Sequence, residues 1–392
     1  MSRGAPAGSA PQAPYQFQGE YGLAVSVLGD SLAVHWLTQD TDSGDFEAYV
    51  GRQRIYAHRT PEAKAHVAVF RRPRRGLVTL IYGGVRNATD RETTTVSLDQ
   101  PSRPNAVIRG VDSVFVLSDV HGHFNSLIQV LARASVIDDA LHWKAGHAHL
   151  VFVGDLIDRG DDATRVLWLV YRLEREARAA GGAVDVVLGN HEIMEWVGDR
   201  RYLAPKESLI VDYYHTCYAC LYDLRSSILG QWLASKPGIL QVNDLVFAHG
   251  GITPRYAVLG TAGFNDALYR YLREPIFAHL LEDSAIVSRF GVALYQRRFG
   301  FFFFPDSPFW FRGYVQSDTF PAQLDSVLAR LGAKVHVVGH TPVPLITATY
   351  GGKLFPVNVI DFATQLVRFT YSRDGKRRAL RIDIEGKTEE LK

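Results

Sequence analysis

Cysteine and methionine are almost missing from this chain, with two of each in 392 residues. That excludes a small fold stapled by several disulfides. The two cysteines stand three apart, in Cys217-Tyr218-Ala219-Cys220. Such a pair can pack on a helix, form a disulfide or redox-sensitive couple, or supply half of a zinc site. Tetrahedral zinc needs four ligands and no second CxxC exists, so helix packing is the leading expectation. No apolar run approaches the ~20 residues that span a bilayer. The greasy cluster Phe301-Phe302-Phe303-Phe304 stops at Pro305. Charge of one sign is lacking too: Lys+Arg 43 stands against Asp+Glu 41. With no basic block or basic helix face read from the sequence, neither nucleic acid nor an anionic membrane is an expected partner. The first eighteen residues are rich in Ala, Pro, Gly and Ser and hold no apolar stretch of the kind a signal peptide needs. They read as a disordered tail. The compartment is left open: periplasmic if a signal was trimmed, otherwise cytoplasmic.

What is present is a hydrophobic content of 47% with 21% charged residues, a globular balance over a length that allows two domains. From Tyr21 to Asp99 the pattern is short and β-like. Leu23–Val27, Leu32–Trp36, His66–Phe70 and Leu77–Tyr82 have strand length, and turn signals such as Gly29-Asp30-Ser31 and Asp42-Ser43-Gly44 separate them. A small antiparallel β-sandwich is expected over residues 19–105, and Pro101 to Pro104 marks a boundary. Asn87-Ala88-Thr89 matches a glycosylation sequon, a common triplet that carries little weight. From residue 106 onward strands alternate with helical stretches, an α/β pattern. Asp161 to Ala180 and Ser317 to Gly332 read as helices, and residues 195–233 and 263–300 as helical inserts. Val357–Ile360, Leu366–Ser372 and Arg377–Ile384 read as closing strands, the last two joined at Arg373-Asp374-Gly375.

Five apolar strands end in metal-type side chains beside glycine. Val114–Leu117 runs into Ser118-Asp119-Val120-His121-Gly122, and Leu150–Val153 into Gly154-Asp155-Leu156-Ile157-Asp158-Arg159-Gly160. Asp185–Leu188 runs into Gly189-Asn190-His191-Glu192, Leu245–Ala248 into His249-Gly250-Gly251, and Val335–Val338 into Gly339-His340. The carboxyl edge of such a sheet is where ligands bind. Asp119, His121, Asp155, Asn190, His249 and His340 are oxygen and nitrogen donors without a thiolate. Two transition-metal ions, divalent or trivalent (Mn, Fe, Zn or Co), are the economical cofactors. Adjacent cations need a shared anionic ligand, and Asp155 is the candidate, having donors on both sides in sequence. Asp119 and His121 would complete the first site; Asn190, His249 and His340 the second. The glycines are expected to let the backbone turn sharply at the strand ends. The remaining histidines, His336 and His66 among them, are expected to be structural.

SDVHG, GDLIDRG, GNHE, HGG and GH, in this order, resemble the calcineurin-like metallophosphoesterases, and more narrowly the phosphoprotein phosphatase branch. Ser307-Pro308-Phe309-Trp310-Phe311-Arg312-Gly313 is similar to the Shewanella-like protein phosphatase subgroup. The resemblance covers roughly residues 110 to 365. It implies a metallophosphatase β-sandwich flanked by helices, with the phosphatase domain over 106–392. It also implies roles: Asp119, His121, Asp155, Asn190, His249 and His340 as metal ligands, His191 as general acid, and Asp158 as the carboxylate that orients it. Arg159 and Arg312, with Asn190, would bind the substrate phosphate. A hydroxide held between the metals would attack phosphorus in line. The implied substrate is a phosphorylated protein, phosphotyrosine as well as phosphoserine or phosphothreonine; the alternative is a small phosphate ester or a dinucleotide polyphosphate. Two departures stand out. Val359-Ile360-Asp361-Phe362 occupies the place of the eukaryotic Ser-Ala-Pro-Asn-Tyr stretch, which puts toxin sensitivity in doubt. Ser118 replaces a glycine, a change expected to matter little.

Overall fold

In the strand β7 (Ser113–Leu117), alternate side chains enter two different cores. Val114 and Val116 face one buried cluster, and Phe115 and Leu117 face another. This is period-two alternation in a strand covered on both faces. The architecture follows from it. The computed structural model describes residues 20–86, 91–281 and 288–392. The tail over 1–18 and the sequon at Asn87 lie outside them.

Two sheets pack face to face. One has the order β16-β15-β14-β7-β8-β9, from Thr388–Leu391, Arg377–Asp383, Gln365–Tyr371, β7, His149–Phe152 and Ala183–Val186. Its β7, β8 and β9 are parallel, and β14 is antiparallel to β7. The other has the order β13-β12-β11-β10-β6, from Leu354–Pro356, Val335–Val338, Leu245–Ala248, Ile239–Val242 and Val107–Ile108. Val151, Val153, Phe247, Val337 and Phe369 fill the space between the sheets. Helices α1 (Phe124–Arg133) and α2 (Ala163–Ala179) cover the outer face of the first sheet. The chain is thus mixed α/β, a β-sandwich flanked by helices.

The N-terminal strands are β1 (Ala24–Leu28), β2 (Ser31–Val50), β3 (Gln53–Arg71), β4 (Leu77–Gly84) and β5 (Glu92–Ser97). They form one antiparallel sheet built on β2. β3 follows one edge of β2, while β1 and β4 share the other. Asp42-Ser43-Gly44, expected to be a turn, lies inside β2 at register shifts. The glycine is there for space: a Cβ on Gly44 would sit 2.4 Å from Thr60 Oγ1. The sheet shares a continuous apolar core with α2. Trp168 Nε1 donates to Leu23 O at 2.9 Å, and Ser97 N donates to Tyr171 Oη at 2.9 Å.

Other expectations shift. The first insert, expected to be helical, is divided among the end of α3 (Asn190–Trp196), α4 (Pro205–Tyr214), α5 (Tyr218–Leu221) and α6 (Ile228–Leu233). The second contains helices Gly260–Tyr271 and Val292–Phe303. Val357–Ile360 is not a strand; the strand there is Leu354–Pro356, and Val359 makes an isolated bridge to Val343. Cys217 and Cys220, expected to pack as thiols, are joined in a disulfide. No described helix is long and apolar enough to cross a membrane.

Candidate active site

The five motif loops converge at the carboxyl ends of β7, β8, β9, β11 and β12. Asp119, His121, Asp155, Asn190, His191, His249 and His340 are all buried. Their centre is one oxygen, Asp155 Oδ2. It lies 3.0 Å from His249 Nε2, 3.6 Å from His121 Nε2 and 3.8 Å from His191 Nε2. Two groups have the spacing of metal ligands: His121, Asp155 and His191, and Asp155, His249 and His340. Asp119 stands beside the first, with Oδ1 3.8 Å from His121 Nε2. Asn190 stands beside the second, with Oδ1 2.9 Å from His249 Nε2.

Hydrogen bonds behind the rings set their orientation. His121 Nδ1 is 2.8 Å from Ile157 O, and His249 Nδ1 is 2.7 Å from Val153 O. A carbonyl can only accept, so each Nδ1 carries a proton and each ring turns its Nε2 inward. His191 Nδ1 meets Asp158 Oδ2 at 2.6 Å, which leaves its Nε2 facing the centre. The N–H of His191 donates to Asp155 Oδ1 at 3.0 Å.

Backbone strain accompanies this convergence. Asp119, His121, Asp155, Asp158, Arg159 and His340 all have φ between 48° and 68°. Each such non-glycine residue costs about 1–3 kcal/mol, and such residues collect at functional sites. The glycines mostly serve another purpose than sharp turning. Gly122 and Gly154 have positive φ, but Gly160, Gly189, Gly250 and Gly339 do not. These four make room: a Cβ on Gly339 would lie 2.0 Å from Ser118 Oγ, and one on Gly189 2.2 Å from Asp155 Oδ1.

Burial and mutual charge pull the titrating groups apart. Burial raises Asp119. Burial would also raise Asp155, but His249, His191 and His121 outweigh it and hold that carboxyl well below its usual range. Burial pushes His121 down to about 3. His249 is opposed by burial yet carried up to about 9 by Asp155 and Asp119. For His191 burial again lowers the value, and Asp155 and Asp158 turn the net shift upward. His340 is pushed well down by burial, then by His249 and Arg312. Its Nε2 is buried without a hydrogen-bond partner. An orphaned imidazole nitrogen beside two buried carboxylates is the donor chemistry that a cation satisfies. The residues therefore fit metal ions.

Arg312 Nη1 donates to His340 O at 2.8 Å, at the rim. The Arg159 guanidinium lies 4.8 Å from the centre of the Tyr202 ring, and Arg159 N donates to Tyr202 O at 2.8 Å. Two residues, Asn358 and Glu192, were given no role by the sequence, and a third, Ser118, was expected to matter little. Asn358 Nδ2 donates to Asp119 Oδ1 at 2.7 Å. Glu192 accepts from the N–H groups of Asp155, Leu156 and Gly189 at 3.0, 2.8 and 2.7 Å, tying two motif loops together. Ser118 Oγ lies between Asp119 Oδ2 and Val153 O, so the glycine-to-serine departure does touch the site. Glu192 stands inside a motif and was there to be found; Asn358 carries no local signal.

The calcineurin-like phosphoesterase profile matches residues 113–344. An uncharacterised protein of Schizosaccharomyces pombe is 27% identical over 278 residues, covering 67% of this chain and 76% of its own. Shewanella-like protein phosphatase 2 of Arabidopsis thaliana is 31% identical over 233 residues, 48% of this chain and 60% of that one. Among solved structures, the cold-active protein-tyrosine phosphatase of a psychrophilic Shewanella superposes with a TM-score of 0.74 at 25% identity, covering 96% of this chain and 100% of that one. With its convergent His and Asp clusters, the chain belongs to the calcineurin-like phosphoesterase family, as a hydrolytic metal-dependent phosphatase.

Proposed function

We propose that the protein is a phosphoprotein phosphatase with two metal ions, acting on phosphotyrosine and on phosphoserine or phosphothreonine. One observation carries the reading: three imidazole nitrogens surround the single oxygen Asp155 Oδ2 within 3.0–3.8 Å. A carboxylate in that position suits a ligand shared by two cations. Asp119, His121 and Asp155 would hold one ion; Asp155, Asn190, His249 and His340 the other. When bound, such ions supply Lewis acidity toward the phosphoryl oxygens and lower the pKa of a water toward neutrality.

The rest of the chemistry belongs to the chain. Arg312 keeps guanidinium donors beyond the one given to His340 O, and Arg159 is braced on Tyr202. Together they would grip the non-bridging phosphate oxygens, for which the planar fork of arginine is suited. His191 would carry a proton on Nε2 and deliver it to the departing oxygen. Asp158 holds the ring by Nδ1 and favours its charged form. A serine alkoxide needs that proton more than a phenolate does, so phosphoserine should depend on His191 more than phosphotyrosine. The Shewanella tyrosine phosphatase supports the phosphotyrosine arm.

The test is elemental analysis of the purified protein, with turnover of matched phosphotyrosine and phosphothreonine peptides and of a dinucleotide tetraphosphate by the same preparation. Two ions per chain and peptide turnover that chelation abolishes are expected. Turnover that survives exhaustive chelation would overturn the metal assignment. Hydrolysis confined to the dinucleotide would overturn the protein substrate.

A further inference from the structure

Away from the metal-type cluster, two cavities meet beneath the segment Asp99 to Arg103 that leaves the N-terminal sheet. One encloses about 420 Å³ between that sheet, α2 and α6. The other, about 490 Å³, continues past α6 toward the helix Gly260–Tyr271. Gln100, Pro101, Gln231 and Ser235 line both, so the two form one groove.

The first cavity has an apolar lining of Val27, Leu98, Ile228 and Trp232. Its cations and anions are unequal. Glu174 is already engaged: Trp232 Nε1 donates to its Oε2 at 2.6 Å, and Lys236 Nζ at 2.5 Å. Asp99 is the other carboxylate of the lining, and it accepts from Gly76 N at 3.2 Å. Against these stand Arg175 in the first cavity and Arg103, Arg225 and Arg273 in the second; Arg178, also in the first, has Nη2 3.4 Å from Glu174 Oε1. Among the described residues, no carboxylate forms an ion pair with Arg103, Arg175 or Arg273. In sequence, Arg71 ends β3, and Arg74 and Arg75 precede Leu77, which lines the groove. Arg71-Arg72-Pro73-Arg74-Arg75 is a basic block that the sequence reading passed over. In a chain with 43 basic against 41 acidic residues, this is a marked local excess.

We propose that this groove docks an acidic peptide segment carrying a bulky apolar side chain, remote from the phosphate that is cleaved. The inference rests on the reading that the substrates are phosphoproteins. The arginines supply the electrostatic complement, and the lining under Leu98 and Trp232 takes the apolar anchor. A nucleic acid fits less well, because single strands need exposed rings to stack on, and Trp232 and Tyr269 are buried.

The experiment is fluorescence anisotropy of the whole protein with a labelled, unphosphorylated peptide of Glu and Asp around a central Leu-Trp. A lysine-rich counterpart, a single-stranded oligonucleotide and anionic vesicles serve as rivals. Saturable binding of the acidic peptide alone, weakened by salt, is expected. Arg178→Glu with Arg225→Glu should weaken it by about tenfold or more. Gln231→Trp, which fills the seam between the cavities, should do the same. All variants should hydrolyse p-nitrophenyl phosphate like the parent. For a phosphopeptide extended by the acidic segment, the loss should fall on KM with kcat kept. Absent binding, equal binding of any rival, or variants that bind like the parent would overturn the groove. The phosphatase reading would then still stand on the unchanged hydrolysis, and it falls only if phosphopeptides are not cleaved at all.

Discussion

The N-terminal sheet and the motif-bearing sandwich bury polar side chains in opposite ways. In the sheet, His66 meets Thr60 Oγ1 at 2.6 Å and Thr38 Oγ1 at 3.1 Å, and Asp42 accepts from Ser43 N at 2.7 Å and Arg86 N at 2.9 Å. Those contacts close on themselves, and no described non-glycine residue of β1 to β5 has positive φ. In the sandwich, His340 Nε2 has no hydrogen-bond partner, Asp119 and Asp155 both lie within 3.8 Å of His121 Nε2, and six residues of the site are strained. Polar burial that satisfies itself builds structure. Polar burial that leaves donors facing one another is held in place by its surroundings for a ligand to complete.

The sharpest way to break this contrast is Asp155→Asn. It should remove bound metal and lower kcat/KM on an aryl phosphate by on the order of 10³-fold, read by elemental analysis and steady-state kinetics. His191→Asn comes next. It should keep the metal and lower kcat on a phosphoserine peptide by about 10²–10⁴-fold, and less on an aryl ester. Loss of metal instead would make His191 a ligand, as its place beside His121 and Asp155 allows.

A third test lies where the two regions meet. Glu207 is fully buried, and that burial carries its carboxyl up to about 8. Its Oε2 accepts from Thr164 Oγ1 at 3.1 Å, while Tyr21, from the start of the N-terminal segment, packs against neighbouring Lys206. The folded protein keeps a proton that the unfolded chain, near 4.5, gives up. The stability linked to it is whole below pH 4.5 and is lost as pH rises toward 8, at up to about 1.4 kcal/mol per pH unit. Glu207→Gln should erase that slope, so urea midpoints of variant and parent should diverge in favour of the variant between pH 5 and pH 8. The smallest effect compares two histidines. His66→Ala should cost about 1–3 kcal/mol by stranding its threonine partners. His340→Ala in metal-free protein should cost less, read by the same urea titration. Equal costs would dissolve the distinction.

Much of the centre was legible in the sequence because each motif couples a strand end to a donor within a few residues. Asp119 with His121, and Asn190 with His191, are local patterns. Asn358 was not legible: it reaches Asp119 across 239 positions, from a stretch read as a strand. The length of β2 was hidden by Asp42-Ser43-Gly44, whose turn chemistry is spent on a bulge and a close approach. The arginines that line the groove are scattered from Arg103 to Arg273, so their clustering belongs to the fold and not to any window of sequence. Gly189 and Gly339 looked like hinges and turned out to be clearances.

The bond from Trp168 Nε1 to Leu23 O, with the apolar seam around it, has a practical consequence. Removing the N-terminal strands β1 to β5 alone would bare the back of α2, including Trp168 and Tyr171. Such a shortened product should come out of expression as insoluble material even with every catalytic motif intact.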